Sequence, residues 1–162
     1  MTAQAAAASH SFRIGLISDT HGLLRPEAMA ALRGADHLIH AGDIGKPFIL
    51  EELATLAPLT AVRGNNDTGE WAAQLPDAVS VELAGMPVHI LHDIKELGKY
   101  ADPGAAQIIV AGHSHQALIR SENGSLYVNP GSAGPRRFRL PITVAMLTIQ
   151  EGELQAEIIH LL

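Results

Sequence analysis

Cysteine is missing from all 162 residues. Its absence removes disulfides, thiolate nucleophiles and zinc-thiolate sites from consideration, and it is compatible with a reducing, cytoplasmic home. Aromatic side chains are only 4% of the chain against a hydrophobic share of 47%. Leu, Ile, Val and Ala must therefore fill the core, each large aliphatic contributing about 1.5–3 kcal/mol when buried. Positive charge is scarce too: 11 Lys and Arg face 17 Asp and Glu, a net charge of −6. No global positive field gathers nucleic acid through its phosphates. Nor does any stretch reach the roughly 18 consecutive apolar residues of a membrane span, so a membrane partner is not expected. The Ala-rich opening from Met1 to Ser11 carries neither a basic n-region nor a long apolar h-region. It reads as a disordered N-terminal tail ahead of a single domain over residues 12–162.

From Phe12 onward, short apolar runs alternate with helical patterns, the signature of βαβ units building a largely parallel sheet. Phe12 to Ser18 predicts a strand, Pro26 suits a first helical residue, Leu24, Ala28 and Leu32 recur at helical spacing, and Gly34 can end the helix. Asp36 to Ala41 predicts a second strand, Pro47 to Leu56 a helix with Phe48, Leu50 and Leu53 inward, and Leu59 to Arg63 a third strand. A loop carrying Trp71 and Pro76 follows. The pattern then turns to hairpins: Ala78 to Leu83 with Val88 to Leu91 about Gly85, Ala117 to Arg120 with Ser125 to Val128, and Ile142 to Ile149 with Leu154 to Leu161. Between them lie a short helix from Ile94 to Tyr100 and a β-branched run from Gln107 to Ala111. Two mixed sheets packed face to face, with helices outside, accommodate this order.

What the chain has in quantity is histidine, nine in all, and imidazole is the commonest side-chain metal ligand. Five apolar runs end directly in ligand-capable clusters: Asp19 with His21, Gly42-Asp43, Gly64-Asn65-Asn66-Asp67, His92-Asp93 and Gly112-His113-Ser114-His115. In open α/β sheets the crevice outside the carboxyl ends of the strands is where ligands bind. Glycines at 42, 64 and 112 precede the ligands, where they let the chain turn sharply. A set of carboxylate, amide and imidazole without sulfur suits Mn²⁺, Fe, Zn²⁺ or Ni²⁺ and argues against a site dedicated to Mg²⁺ or Ca²⁺. Asp19, His21, Asp43, Asn65, His92, His113 and His115 are too many for one ion. Two divalent ions roughly 3.5–4 Å apart, sharing a carboxylate and a hydroxide, use them all and form a clamp suited to phosphoryl transfer.

Taken in order, these five clusters resemble the calcineurin-like metallophosphoesterases, and within them the small bacterial and archaeal phosphodiesterases of the YfcE type, related to the retromer subunit Vps29. Asn129-Pro130-Gly131-Ser132 followed by Pro135-Arg136 is similar to that branch as well. The resemblance implies a four-layer α/β/β/α sandwich. It also implies one metal on Asp19, His21 and His115, another on Asn65, His92 and His113, and Asp43 bridging, with Mn²⁺ the first choice of ion. The reaction it implies is hydrolysis of a small phosphoester, preferably a diester, by in-line attack of a metal-bridging hydroxide, with Asp43, Asn65 and Asn66 at the reacting centre. Asn66 is a departure, because many members carry a histidine there that acts on the leaving group, and an amide has no acidic proton to give. A non-catalytic, metal-binding interaction scaffold of the same fold is the alternative, and self-association is left open.

Other polar residues receive plainer readings. Asp19 alone could be an N-cap, and His10, His37, His89 and His160 are structural or solvated. His40, just before Ala41-Gly42-Asp43, is either structural or a contact behind the ligands, Asp67 and Asp93 orient loops or neighbouring ligands, and an outer-shell carboxylate is the alternative for Asp93. Asn129 to Ser132 is either a simple turn or a support under the metal loops, and Arg136, Arg137 and Arg139 are either a solvated run or a phosphate-orienting patch.

Overall fold

The computed structural model describes residues 11–100 and 105–162; the tail expected over residues 1–11 lies outside them except for Ser11. Among the described residues, ten strands form two five-stranded sheets. The first has the order β10-β9-β1-β2-β3, with β1 Phe12–Ile17, β2 His37–His40, β3 Leu59–Ala61, β9 Thr143–Gln150 and β10 Glu153–His160. The second has the order β4-β5-β6-β8-β7, with β4 Ala78–Leu83, β5 Met86–Leu91, β6 Ile108–Val110, β7 Leu118–Glu122 and β8 Ser125–Asn129. Strands β1, β2 and β3 run parallel, as do β5, β6 and β8. The hairpin β9–β10 closes the first sheet by pairing antiparallel to β1.

Alternation along each strand sorts side chains between two layers. Ile14, Leu16 and Ile39 of the first sheet meet Val88, Ile90, Ile108 and Val110 of the second in the core between the sheets. On the outer face of the first sheet, Ile17, Leu38, Val144 and Met146 pack against helices α1 (Pro26–Leu32) and α2 (Pro47–Ala54). Gly15 makes that contact close: a Cβ there would stand 2.7 Å from both the Leu32 and the Leu38 side chains. Both helices begin at proline, as expected.

Three expectations need correction or refinement. In α2 the buried residues are Ile49 and Leu53, one turn apart, and Phe48, about 100° around the helix from Ile49, is 43% exposed. The loop carrying Trp71 holds a short helix, α3 (Glu70–Ala73), begun by Gly69 with φ of 101°. The helix read over Ile94 to Tyr100 is a 3₁₀ turn, Ile94–Glu96, running into α4, Leu97–Tyr100. That short element is the helical layer over the second sheet, where Leu97 packs with Leu91, Ile109 and Ala111. Among the described residues no helix is long and apolar enough to cross a membrane.

Candidate metal centre

Asp19 and His21 follow β1, Asp43 follows β2, His92 follows β5, and His113 and His115 follow β6. The loops are laced by backbone bonds: Asp19 N–H donates to the Gly42 carbonyl at 3.0 Å, His21 N–H to Asp43 at 2.9 Å, and Gly112 N–H to His92 at 2.9 Å. Asp19, His21, Asp43, His113 and His115 all sit in the left-handed region, with φ between 47° and 71°. Such strain, of order 1–3 kcal/mol per residue, persists only where the surroundings impose it, and it clusters at functional sites.

The glycines therefore play a different part from the one expected. Gly42 turns with φ of 102°, but the sharp bends belong mainly to the polar residues themselves. Gly64 and Gly112 are needed for close approach: a Cβ at Gly64 would collide with the Asp43 backbone, and one at Gly112 with Ser18 Oγ and Asp19 Oδ2.

Two groups of donors result, Asp19 with His21 and His115, and Asp19 with Asp43 and His92, each with its donor atoms within 4.8 Å of one another. Asp19 Oδ1 stands 3.4 Å from His115 Nε2, 3.7 Å from His21 Nε2 and 3.9 Å from His92 Nε2. Asp43 Oδ2 lies 3.2 Å from His92 Nε2 and 3.7 Å from His21 Nε2, so both carboxylates face both groups. His113 stands apart at the rim, 45% exposed and 3.8 Å from Asp93 Oδ2, its ring edge-on to His92 at 5.1 Å. Asn65 is exposed and lines, with His92 and His113, a cavity of about 330 Å³.

The arrangement fits divalent ions by its own chemistry. Asp19 Oδ2 accepts from Ser18 Oγ at 2.6 Å and from the His113 amide at 3.1 Å, whereas buried Oδ1 has no hydrogen-bond partner. His92 Nδ1–H donates to the Ala41 carbonyl at 2.7 Å, which fixes the tautomer and leaves buried Nε2 without a partner, aimed at Asp43. A bare imidazole nitrogen facing a carboxylate is unfavourable unless a cation or a proton lies between them. The titration behaviour agrees. Burial opposes ionisation of Asp19, yet the nearby His115 and His21 imidazoles and the Ser18 hydroxyl hold its carboxyl well below the usual range. Asp43 is lowered against burial by His92 and by the Asn66 amide. His21 is raised by Asp19, against burial and against the charge of Arg137. Burial works against charge on His92 too, but Asp43, Asp19 and the Ala41 carbonyl raise it.

A second ring of residues holds these donors. Asp67 accepts from the amides of Ile44, Gly45 and Gly64 at 3.1, 2.9 and 2.9 Å, tying the Asp43 loop to the Asn65 loop. Asn66 grips Asp43 twice, from its amide to Oδ1 at 2.8 Å and from Nδ2 to Oδ2 at 3.0 Å. Asn129 Nδ2 donates to the Gly112 carbonyl at 2.9 Å and Ser132 Oγ to the Asp19 carbonyl at 3.0 Å, so the Asn-Pro-Gly-Ser turn supports two site loops. His40 is fully buried. Gly42 N–H donates to its Nδ1 at 3.1 Å, Nε2–H therefore donates to Thr20 Oγ1 at 3.0 Å, and Thr20 donates to the Ile44 carbonyl at 2.8 Å. This neutral relay joins the loop after β1 to the loop after β2.

His40 gives a pH prediction. Burial pushes it down to about 4, so the folded protein keeps it neutral where the unfolded chain, with a value of about 6.5, takes a proton. Its contribution is complete above about pH 6.5 and is lost as pH falls toward 4, amounting to about 3 kcal/mol over that window. Denaturant midpoints of the metal-free protein should fall more steeply across this range than those of His40→Asn, whose amide oxygen can still accept from Gly42. Identical slopes would show that His40 carries no such linkage.

Comparison with known proteins agrees with this architecture. Residues 12–152 match the calcineurin-like phosphoesterase superfamily domain. A probable metallophosphoesterase of Methanothermobacter thermautotrophicus is 36% identical over 159 residues, spanning 91% of each chain. An archaeal phosphodiesterase of known structure superposes with a TM-score of 0.75 at 25% identity, covering 91% of this chain and 100% of that one. Vacuolar protein sorting 29 from Cryptosporidium parvum shares the fold, with a TM-score of 0.73 at 18% identity over 92% and 97% of the two chains. With its domain matched almost from end to end, the chain belongs to the calcineurin-like phosphoesterase superfamily, in its branch of small phosphodiesterases.

Proposed function

We propose that the chain is a metal-dependent phosphodiesterase that hydrolyses small phosphoesters at a dinuclear site. The observation that carries this reading is the pair of unpartnered buried atoms, Asp19 Oδ1 and His92 Nε2, inside a cluster of carboxylates and imidazoles. Asp19, His21 and His115 would hold one ion, and Asn65, His92 and His113 the other, with Asp43 between them. Mn²⁺ is the first choice, and Zn²⁺, Fe and Ni²⁺ suit the same donors. Divalent ions held by these residues would supply an acidified water for in-line attack and positive charge for the phosphoryl oxygens.

The chain's own residues do the rest. Asp19 and Asp43 stay anionic at neutral pH because their neighbours hold their pKa values down. Ala41 fixes the His92 ring with Nε2 toward Asp43, and Asn66 orients the Asp43 carboxylate through two hydrogen bonds. The names of the archaeal relatives, a probable metallophosphoesterase and a phosphodiesterase, support the same reaction.

The test is to strip the protein with a chelator, restore Mn²⁺, and assay a panel of mono- and diesters. Turnover should vanish with the metal and return with it for at least one diester. Stoichiometric metal without turnover of any ester would leave the chain as the non-catalytic scaffold.

A further inference from the structure

The smaller cavity is not the whole of the crevice. A second one, of about 480 Å³, shares His113 and Asp93 with it as a common wall, a volume within the usual range for ligand pockets. Its floor is the outer face of the second sheet, where Ile109 of β6 and Arg120 of β7 both pair in register with Tyr127 of β8. The first sheet carries α1 and α2 on its outer face, but β7 is exposed along its whole length. Leu118 and Ile94, which line the cavity, are 47% and 38% exposed. Contiguous exposed apolar surface beside a polar site is a mark of ligand or partner contact.

The two cavities differ in charge. Around the smaller one stand Asp67, Asp77, Asp93 and Glu96, and its Arg63 is tied to Asp77 through Nε and Nη2 at 2.9 and 2.7 Å. The larger one holds Lys95, Arg120 and Arg137 against Asp93. Arg120, whose Nη2 pairs with Glu122 Oε2 at 3.2 Å, lies over the Tyr127 ring at 5.1 Å and presents a flat guanidinium of the kind on which aromatic groups stack. The Arg137 side chain makes no hydrogen bond or ion pair among the described residues, and it lines the larger cavity together with His113. Its cation thus shares a cavity with His113, the residue at which the two cavities meet.

We propose that the larger cavity seats the non-leaving arm of a phosphodiester, that this arm is aromatic, and that Arg137 meets the phosphoryl charge. Two cavities meeting at His113 give a diester's two arms separate places, which a monoester does not need. The aromatic character follows from Leu118, Ile94 and the Arg120–Tyr127 stack, and the guanidinium of Arg137 suits an anionic phosphoryl group. This inference rests on the phosphodiesterase reading above.

The experiment compares phenyl para-nitrophenyl phosphate with methyl para-nitrophenyl phosphate, which share a leaving group and differ in the retained arm. After correction for their uncatalysed rates, kcat/KM should favour the phenyl ester by about tenfold or more, the size expected for burying a ring. Leu118→Glu and, as a second variant on the opposite wall, Ile94→Glu should each cut that ratio below about threefold. Amide-resolved NMR of the protein supplied with Zn²⁺ gives a readout free of turnover: diphenyl phosphate should shift Leu118 and Tyr127, and dimethyl phosphate should not. A ratio near one in the unaltered protein, with no shift at those amides, overturns the proposal while leaving the phosphodiesterase reading intact. Shifts at those amides without turnover of any diester would take down the catalytic reading and retain the aromatic seat.

Discussion

Asp43→Ala is expected to lose both metal ions and to lower turnover of any phosphodiester by well over about 10²-fold. Outer-shell partners of metal ligands already cost about 10–100-fold when removed, and Asp43 is closer to the centre than any of those. Its Oδ2 faces His92 at 3.2 Å and His21 at 3.7 Å, and Asn66 binds both of its oxygens. Removing it takes a donor from between the two groups and takes away both hydrogen bonds that Asn66 makes to it. His92→Ala takes a donor from one group only, so it should retain about one ion per chain and a larger residue of activity. Metal analysis after gel filtration, with circular dichroism as a check on folding, separates the two. Equal, near-native metal content in both variants would refute the bridging role assigned to Asp43. Asp19 offers an internal comparison, because its Oδ1 also reaches both groups and Asp19→Ala should resemble Asp43→Ala.

The grouping of these candidate donors was legible in the sequence because each follows a short apolar strand, and parallel strands deliver their carboxyl ends to one crevice. Asp19, Asp43, His92 and His115 lie in that position, and all four are buried despite their polarity. Supporting residues were harder to read, because their partners are groups remote in sequence. His40 meets Thr20 across 20 residues, Asp67 meets Ile44 across 23, and Ser132 meets Asp19 across 113. Nothing in residue type separates such a histidine or aspartate from a solvated one. Phe48 was misplaced because two adjacent apolar residues, Phe48 and Ile49, offer two helical phases, and only the neighbouring sheet decides between them. The second cavity was invisible for a related reason: Leu118 and Arg120 look like any edge strand until it is seen that, among the described residues, strand β7 is exposed along its whole length.

Asn66 sets the second large effect. The side chain donates Nδ2–H to Asp43 at 3.0 Å and has no acidic proton for a departing alkoxide. Expulsion of the alcohol must then follow its own acidity, so rates should rise steeply as leaving-group pKa falls, with activated aryl diesters cleaved orders of magnitude faster than alkyl ones. Asn66→His should change the slope as well as the rate. A general acid in good position adds roughly 10²–10⁴-fold, and that gain goes to poor leaving groups, which need the proton most. Aryl substrates gain little and should slow by up to about tenfold, because the Nδ2 hydrogen bond that orients Asp43 is lost. The new imidazole also lacks neighbours to orient it, which places its benefit at the lower end of that range. A series of substituted phenyl and alkyl diesters, assayed with both proteins under saturating metal, measures the two slopes. A flat dependence in the unaltered protein would mean that another group supplies the proton, and Tyr100, which lines the same cavity as Asn65 and His113, is the first residue to replace in that event.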